Sequence, residues 1–430
     1  MDRRLQTYVT ATLLTAAAGQ LASTADAVAV GQFVDIDAVS VLSLIMPVTV
    51  VISCMGLLLG FGANALSARA IGQHNEQTTI RIFSTAMLSL TVVGLFLSLL
   101  LWREAPVVAS LLTNEDEMRM LATDYLSVYA LGAWLEMVSY GLCLFVATDG
   151  YPFRVSVAVA IGVVVNVIAD VLLIGFLDMG MKGAALGSIL QFAITTLLLT
   201  VHLRFSDSHY RFQWPVAGFK FNLLTNIKES TPITLSSLLM AVILLLINSI
   251  TYHALGADGL FFWSVCLQML LITFIFINGT TEALFAIGEV MMGKGQTFAV
   301  RVLFRQSLLV SCGMTVLLMA VMAIPDAVAI AFGVEEEPML SDLTRVLRIF
   351  SLMLIPFTVS YLLAAYCQIH GRVALSAFML ACQLLWTLFV LWVISQWASS
   401  HLWWAFPLSS ILYLLGQVVF IRQKYDSIKF

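Results

Sequence analysis

The sequence predicts an all-α polytopic membrane protein of twelve transmembrane helices in two pseudo-symmetric six-helix lobes. Three observations lead there. First, of 430 residues 60% are hydrophobic and 11% charged, whereas a typical soluble domain is about a quarter charged. Too little charge remains to dress a water-facing surface. Second, apolar runs such as 155–176 and 373–397 are long and do not alternate. About 20 residues suit a helix crossing about 30 Å of hydrocarbon. A spanning barrel would show alternating segments of about ten residues, and lipid admits only these two architectures. Third, the halves repeat. The triplets Glu115 to Glu117 and Glu335 to Glu337 lie 220 residues apart, Gly150 and Gly371 lie 221 apart, and Ala65-Leu66 and Ala283-Leu284 lie 218 apart.

Taken in order, the predicted spans are 8–33, 38–68, 80–101, 121–147, 153–176, 183–203, 231–254, 259–288, 302–324, 345–369, 373–397 and 402–421. Turn-forming residues separate them: Asp149-Gly150-Tyr151-Pro152, Gly180, Gly256, Gly293-Lys294-Gly295 and Gly371. The first span follows Arg3 and Arg4 and contains Ala25-Asp26-Ala27, the form of a signal cleavage site. Its apolar stretch continues to Val30 and exceeds a signal core, so an uncleaved first helix is expected. With both termini inside, cytoplasmic loops and tails carry 16 of the 21 Lys and Arg residues, and the outer side keeps Arg103, Arg119, Lys182, Arg345 and Arg348. This satisfies the positive-inside rule for a multi-pass protein with cytoplasmic N- and C-termini; the plasma (inner) membrane is its expected location. The expected organisation is an N-terminal lobe 1–204, a cytoplasmic interfacial linker 205–230 and a C-terminal lobe 231–430. Six spans per repeat give both repeats one orientation, with a pseudo-two-fold axis along the membrane normal and a pathway between the halves.

Several classes are disfavoured. No dense basic cluster suggests nucleic acid. The six cysteines fall in apolar runs without a CxxC pair, so they are expected as packing residues, with no disulfide or metal site. Neither HExxH nor GxSxG is present, and the histidines are scattered, so no enzyme is expected.

Charged residues within spans are costly and are functional candidates by default. Asp124 is assigned to a helix start, where a carboxylate complements the helix dipole. Asp26, Glu136, Asp170 and Glu282 lie deeper, and no basic residue is near them in sequence. A carboxyl group so placed favours its neutral form, and two sharing a site hold a proton between them. Asn166 and Asp170 are spaced i, i+4 in the otherwise apolar fifth span, which puts both on one helix face. An amide oxygen and a carboxylate are hard ligands suited to sodium; interhelical hydrogen bonding is the equal alternative.

Ala147-Thr-Asp-Gly-Tyr-Pro-Phe153, Asn166-Val-Ile-Ala-Asp170 and Met179-Gly-Met-Lys-Gly-Ala-Ala-Leu-Gly-Ser188 resemble, at the same spacing, a signature of the multidrug and toxic compound extrusion (MATE) family. Asp26 with Val30-Gly31, and Gly60-Phe-Gly62 with Ala68-Arg69-Ala-Ile-Gly72, resemble its first two helices. The resemblance implies twelve helices in two lobes that rock between alternating-access states. Its DinF-like branch implies a cation or proton site at Asp26, Asn166, Asp170 and Ser188, with Ser188 standing where the family has Thr. Some branches of the family carry a functional Glu in the seventh helix, and this chain has none there; Glu136 and Glu282 are instead candidates for substrate or ion binding. The implied function is secondary active efflux of amphiphilic, mostly cationic compounds in exchange for protons or sodium. No cofactor is expected, nor any metal beyond sodium at Asp26, Asn166 and Asp170. The expected partners are organic cations and the bilayer, with the chain a monomer. The alternative, a flippase of lipid-linked oligosaccharides, calls for basic residues facing a pyrophosphate, and none is placed there.

Overall fold

The computed structural model describes residues 3–205, 208–214, 223–293, 295–334 and 338–424. Its elements are α1 (Arg3–Phe33), α2 (Ile36–Gly72), α3 (Glu76–Leu112), α4 (Asp116–Thr148), α5 (Pro152–Asp170), α6 (Gly180–Phe205), α7 (Leu223–Gly293), α8 (Thr297–Met322), α9 (Pro325–Ala331), α10 (Met339–Ile369), α11 (Val373–Trp397) and α12 (Ala405–Lys424). Among the described residues, ten helical stretches are long and apolar enough to cross a membrane. Gly256, at φ 72° and ψ −157°, breaks α7 into limbs 223–255 and 257–293. Counting both limbs and α1, and leaving out the seven-residue α9, the described chain has twelve long helical segments.

The helix ends follow local chemistry. Asp35 caps α2 by accepting from the Ile36 amide, and Asn75 caps α3 by accepting from the Thr78 amide at 3.1 Å. Pro152 opens α5, where its missing N–H costs nothing. Gly150 and Gly371, the predicted pair, both turn the chain at positive φ, 96° and 76°, after α4 and α10. The segments that precede the two acidic triplets differ in structure. Pro106 lies inside α3, whereas Ile324 leaves the helical region and Pro325 starts α9 as a separate helix. Glu335 to Glu337 lie outside the described residues.

The chain divides into two compact units, 25–245 and 1–24 with 246–430. In the first, α4 is central and packs against α2, α3, α5 and α6. Glycines bring the helices close: Gly94 faces the Trp134 backbone, and Gly162 faces Thr195 and Gln191. After α6, the described loop residues return to this unit. Tyr210 is fully buried against Phe83 and Phe145 and shares a 2.9 Å hydrogen bond with Ser67. Asp149 accepts from the His209 amide and ring, at 3.0 and 2.8 Å. Residues 215–222 of the predicted linker lie outside the described residues, and α7 begins at Leu223.

In the second unit α10 is central, packed against α8, α9, α11 and α12. Its interior is aromatic and, among the described side chains, uncharged. Trp263 stacks on Phe406 and donates to Asn248 at 2.8 Å. Ser360 bonds Gln383 and Gln417 at 3.1 and 2.7 Å.

Candidate functional site

The fifth helix builds the site. Asn166 and Asp170 occupy one face of α5, Asn166 fully buried and Asp170 1% exposed. Immediately after Asp170 the helix widens into a π turn, Val171–Phe176, with Leu177 donating to the Leu172 carbonyl. Such wide turns recur at functional positions because they reaim side chains and free backbone groups. Asp26 of α1 lies beside both Asp170 and Asn166. These groups are close, yet out of hydrogen-bonding geometry. Asp26 Oδ1, both Asp170 oxygens and both Asn166 amide atoms are buried without a hydrogen-bond partner.

Two further elements close the cluster. Tyr125 of α4 lies beside Ser188 of α6, within electrostatic reach of Asp26 and Asp170. Gly187, next to Ser188, backs directly onto the acids. A Cβ there would collide with Asp170 Oδ1 and come 3.0 Å from Asn166 Nδ2. The structure thus brings Asp26, Asn166 and Asp170 together, sets Ser188 beside Tyr125 at the edge of that group, and adds Tyr125 and Gly187, which sequence reasoning did not single out. Spacing offered one clue to the tyrosine: Tyr125, Tyr129 and Glu136 fall at i, i+4 and i+11, one face of α4.

Glu136 is 4% exposed. Its Oε1 accepts from Ser53 of α2 and its Oε2 from Tyr129. Glu282 lies on α7, and its side chain falls outside the described residues. Asp124 sits two turns into α4, not at its start, and pairs with Lys182 of α6 at 3.3 Å. It is a half-exposed surface pair across two helices. No described Lys, Arg or His pairs with Asp26, Glu136 or Asp170.

Four oxygen-bearing side chains, two of them carboxylates, suit a proton or a small hard cation. The arrangement holds no nucleophile–base pair. The model of one family, MatE, matches residues 11–172 and again residues 232–393. The chain belongs to the MatE family. Members of this family are membrane transporters, not enzymes. The two matches begin 221 residues apart, the spacing of the internal repeat. The multidrug export protein MepA of Staphylococcus saprophyticus is 27% identical over 220 residues, 51% of this MatE chain and 49% of that protein. MepA of Staphylococcus aureus is 25% identical over 225 residues, 52% and 50% of the two chains. The alignment thus spans about half the length of the curated relatives. An inward-facing structure of a multidrug resistance MATE family transporter of the MOP superfamily has a TM-score of 0.85 at 16% identity, covering 95% of each chain. That likeness is one of fold.

The second repeat of this MatE protein has other residues at the corresponding positions. At the 221-residue offset, Asp170 becomes Leu391 and Asn166 becomes Thr387, while Asn248, next to the counterpart of Asp26, already accepts from Trp263. Among the described side chains, every buried carboxylate lies in the unit 25–245.

Proposed function

We propose that this MatE protein is a secondary active exporter of amphiphilic, mostly cationic compounds, coupled to protons or sodium at Asp26, Asn166, Asp170 and Ser188. The reading rests on one observation: two carboxyl groups lie side by side in a membrane unit with no described basic partner. Each buried charge is costly there, so a bound proton or cation is the natural counterweight. An ion that binds two conformations unequally shifts the balance between them, which is all that alternating access requires. The lone site in one repeat is in keeping with a DinF-like member, and the MepA proteins' description as multidrug exporters supports the substrate class. The same reading takes 1–204 and 231–430 as rocking lobes joined by the linker 205–230, working as a monomer with cytoplasmic termini in the plasma membrane. A pyrophosphate-carrying flippase is less well supported, since it needs cationic ligands.

The test is efflux of a fluorescent lipophilic cation from proteoliposomes under an imposed pH gradient or an imposed sodium gradient. One gradient drives wild-type efflux and identifies the ion. Asp170→Asn lowers that efflux about tenfold or more, the effect of losing roughly 1.4 kcal/mol of ion preference. If neither gradient moves dye, or the variant equals wild type, the proposal fails.

A further inference from the structure

Glu136 lies outside the Asp26 and Asp170 cluster. Both of its carboxyl oxygens are met by hydroxyls, Ser53 from α2 and Tyr129 from its own helix, and no described cation reaches it. A structural role would have the fold require an acid at this position. The internal repeat tests that requirement. Moved by 221 residues, Ser53 becomes Phe274, Tyr129 becomes Phe350 and Glu136 becomes Phe357. Phe274 and Phe357 touch as Ser53 and Glu136 do, edge to face at 5.5 Å between ring centroids. Phe350 is fully buried and Phe357 7% exposed. The same helical register is therefore filled by an apolar pair in one repeat and by an acid with two hydroxyls in the other. Packing alone is satisfied by phenylalanine, at no cost in buried charge.

The neighbourhood also discriminates among ligands. Glu136 is buried, and both of its carboxyl oxygens are already engaged by hydroxyls. Sodium would need several lone pairs aimed inward, but Ser53 and Tyr129 aim their hydrogens at the carboxyl group. The titratable groups facing it are Tyr129, Tyr140 and more remotely Tyr125 of α4, with Cys143 of α4 and Cys54 of α2 beyond. Among the described residues, none comes from α3, α5 or α6. Toward the other acids, Tyr129 stacks on Tyr125 at 5.8 Å, and Tyr125 lies beside Ser188 within reach of Asp26 and Asp170.

We propose that Glu136, cradled by Ser53 and Tyr129, is a second proton-binding site of the unit 25–245, linked electrostatically to Asp26 and Asp170 through the Tyr125–Tyr129 stack. Its part in driving transport rests on the exporter reading above; its protonation does not. The site takes up one proton at the carboxyl group and returns it to water, with no other bond made or broken. Two titrating stations in one unit allow more than one proton to be exchanged per cycle.

The experiment is infrared difference spectroscopy of the carboxylic acid C=O stretch, recorded on the full-length protein in liposomes across a pH titration without sodium, then with sodium at fixed pH. It needs neither a transported compound nor a gradient, so its failure is separable from failure of the efflux assay. The expected result is a pH-dependent band that disappears in Glu136→Gln and persists in Asp170→Asn. Ser53→Ala and Tyr129→Phe keep the acid and remove one hydrogen bond to its ionised form, moving the band's midpoint by about one pH unit or more to higher pH. They also serve if Glu136→Gln does not fold. A pH-difference spectrum unchanged by all three substitutions overturns the proposal. So does a Glu136 band that responds to sodium but not to pH.

Discussion

Gly187→Ala isolates the carboxylate cluster with a single methyl group. Gly187 lies inside α6, and its position there is helical. Alanine is favoured over glycine in a helix interior by about 1 kcal/mol, so the backbone gains. The added carbon meets Asp170 Oδ1 below contact distance, Asn166 Nδ2 at 3.0 Å and Asp170 Cγ at 3.4 Å. Asp170 Oδ1 is a ligand atom for the ion and Asn166 Nδ2 belongs to the amide whose oxygen is another, so the cluster must give way before α6 does. Overpacking a fitted interior costs about 1–3 kcal/mol. Borne by the ion-bound geometry, that is about a fivefold to hundredfold weaker response to the coupling ion. The assay is gradient-driven efflux as a function of ion concentration, beside thermal unfolding of the same preparation. The expected pair of results is a raised half-saturation for the ion and an unfolding midpoint that is unchanged or higher. A variant with wild-type ion dependence would show that this face of α6 does not bear on the site. Loss of both activity and stability would show that the helices, not the carboxylates, absorb the strain.

Two other perturbations test the fold around the site. Gly256→Ala has open space for its methyl group, but φ 72° with ψ −157° is a conformation only glycine adopts readily, costing about 1–3 kcal/mol. Its thermal midpoint falls, while Gly313→Ala, also with open space but inside α8, leaves the midpoint unchanged or higher; equal behaviour of the two refutes the backbone account. Burial pushes the Tyr210 phenol up from 10 to about 12, opposed by Ser67 and assisted by Asp149. Between those values the unfolded chain loses a proton that the folded chain keeps, so stability is full below about pH 10 and declines as pH rises toward 12. Tyr210→Phe removes this component, and thermal unfolding against pH should show a shallower alkaline decline than wild type; equal slopes refute it.

The sequence by itself determined the architecture. Its scarcity of charge and the length of its apolar runs leave no alternative to a helical bundle in lipid. The break at Gly256, the turns at Gly150 and Gly371 and the repeat were legible because glycine geometry and a constant offset are local or linear properties. Asn166 and Asp170 were legible for the same reason: polar groups four residues apart on an apolar helix share a face whatever surrounds them. The tertiary structure decided the rest. It set Asp26 beside Asp170 across 144 positions of sequence, added Gly187 as the floor of that pair and Tyr125 beside it, and gave Asp124 a partner in Lys182. It also separated Glu136 from the other acids by two stacked tyrosines and handed it a hydroxyl from α2. Spacing along one helix does not give these juxtapositions, because each depends on which helices pack against one another, and helix partners in lipid are chosen by the fit of small side chains between helices rather than by any pattern within one of them.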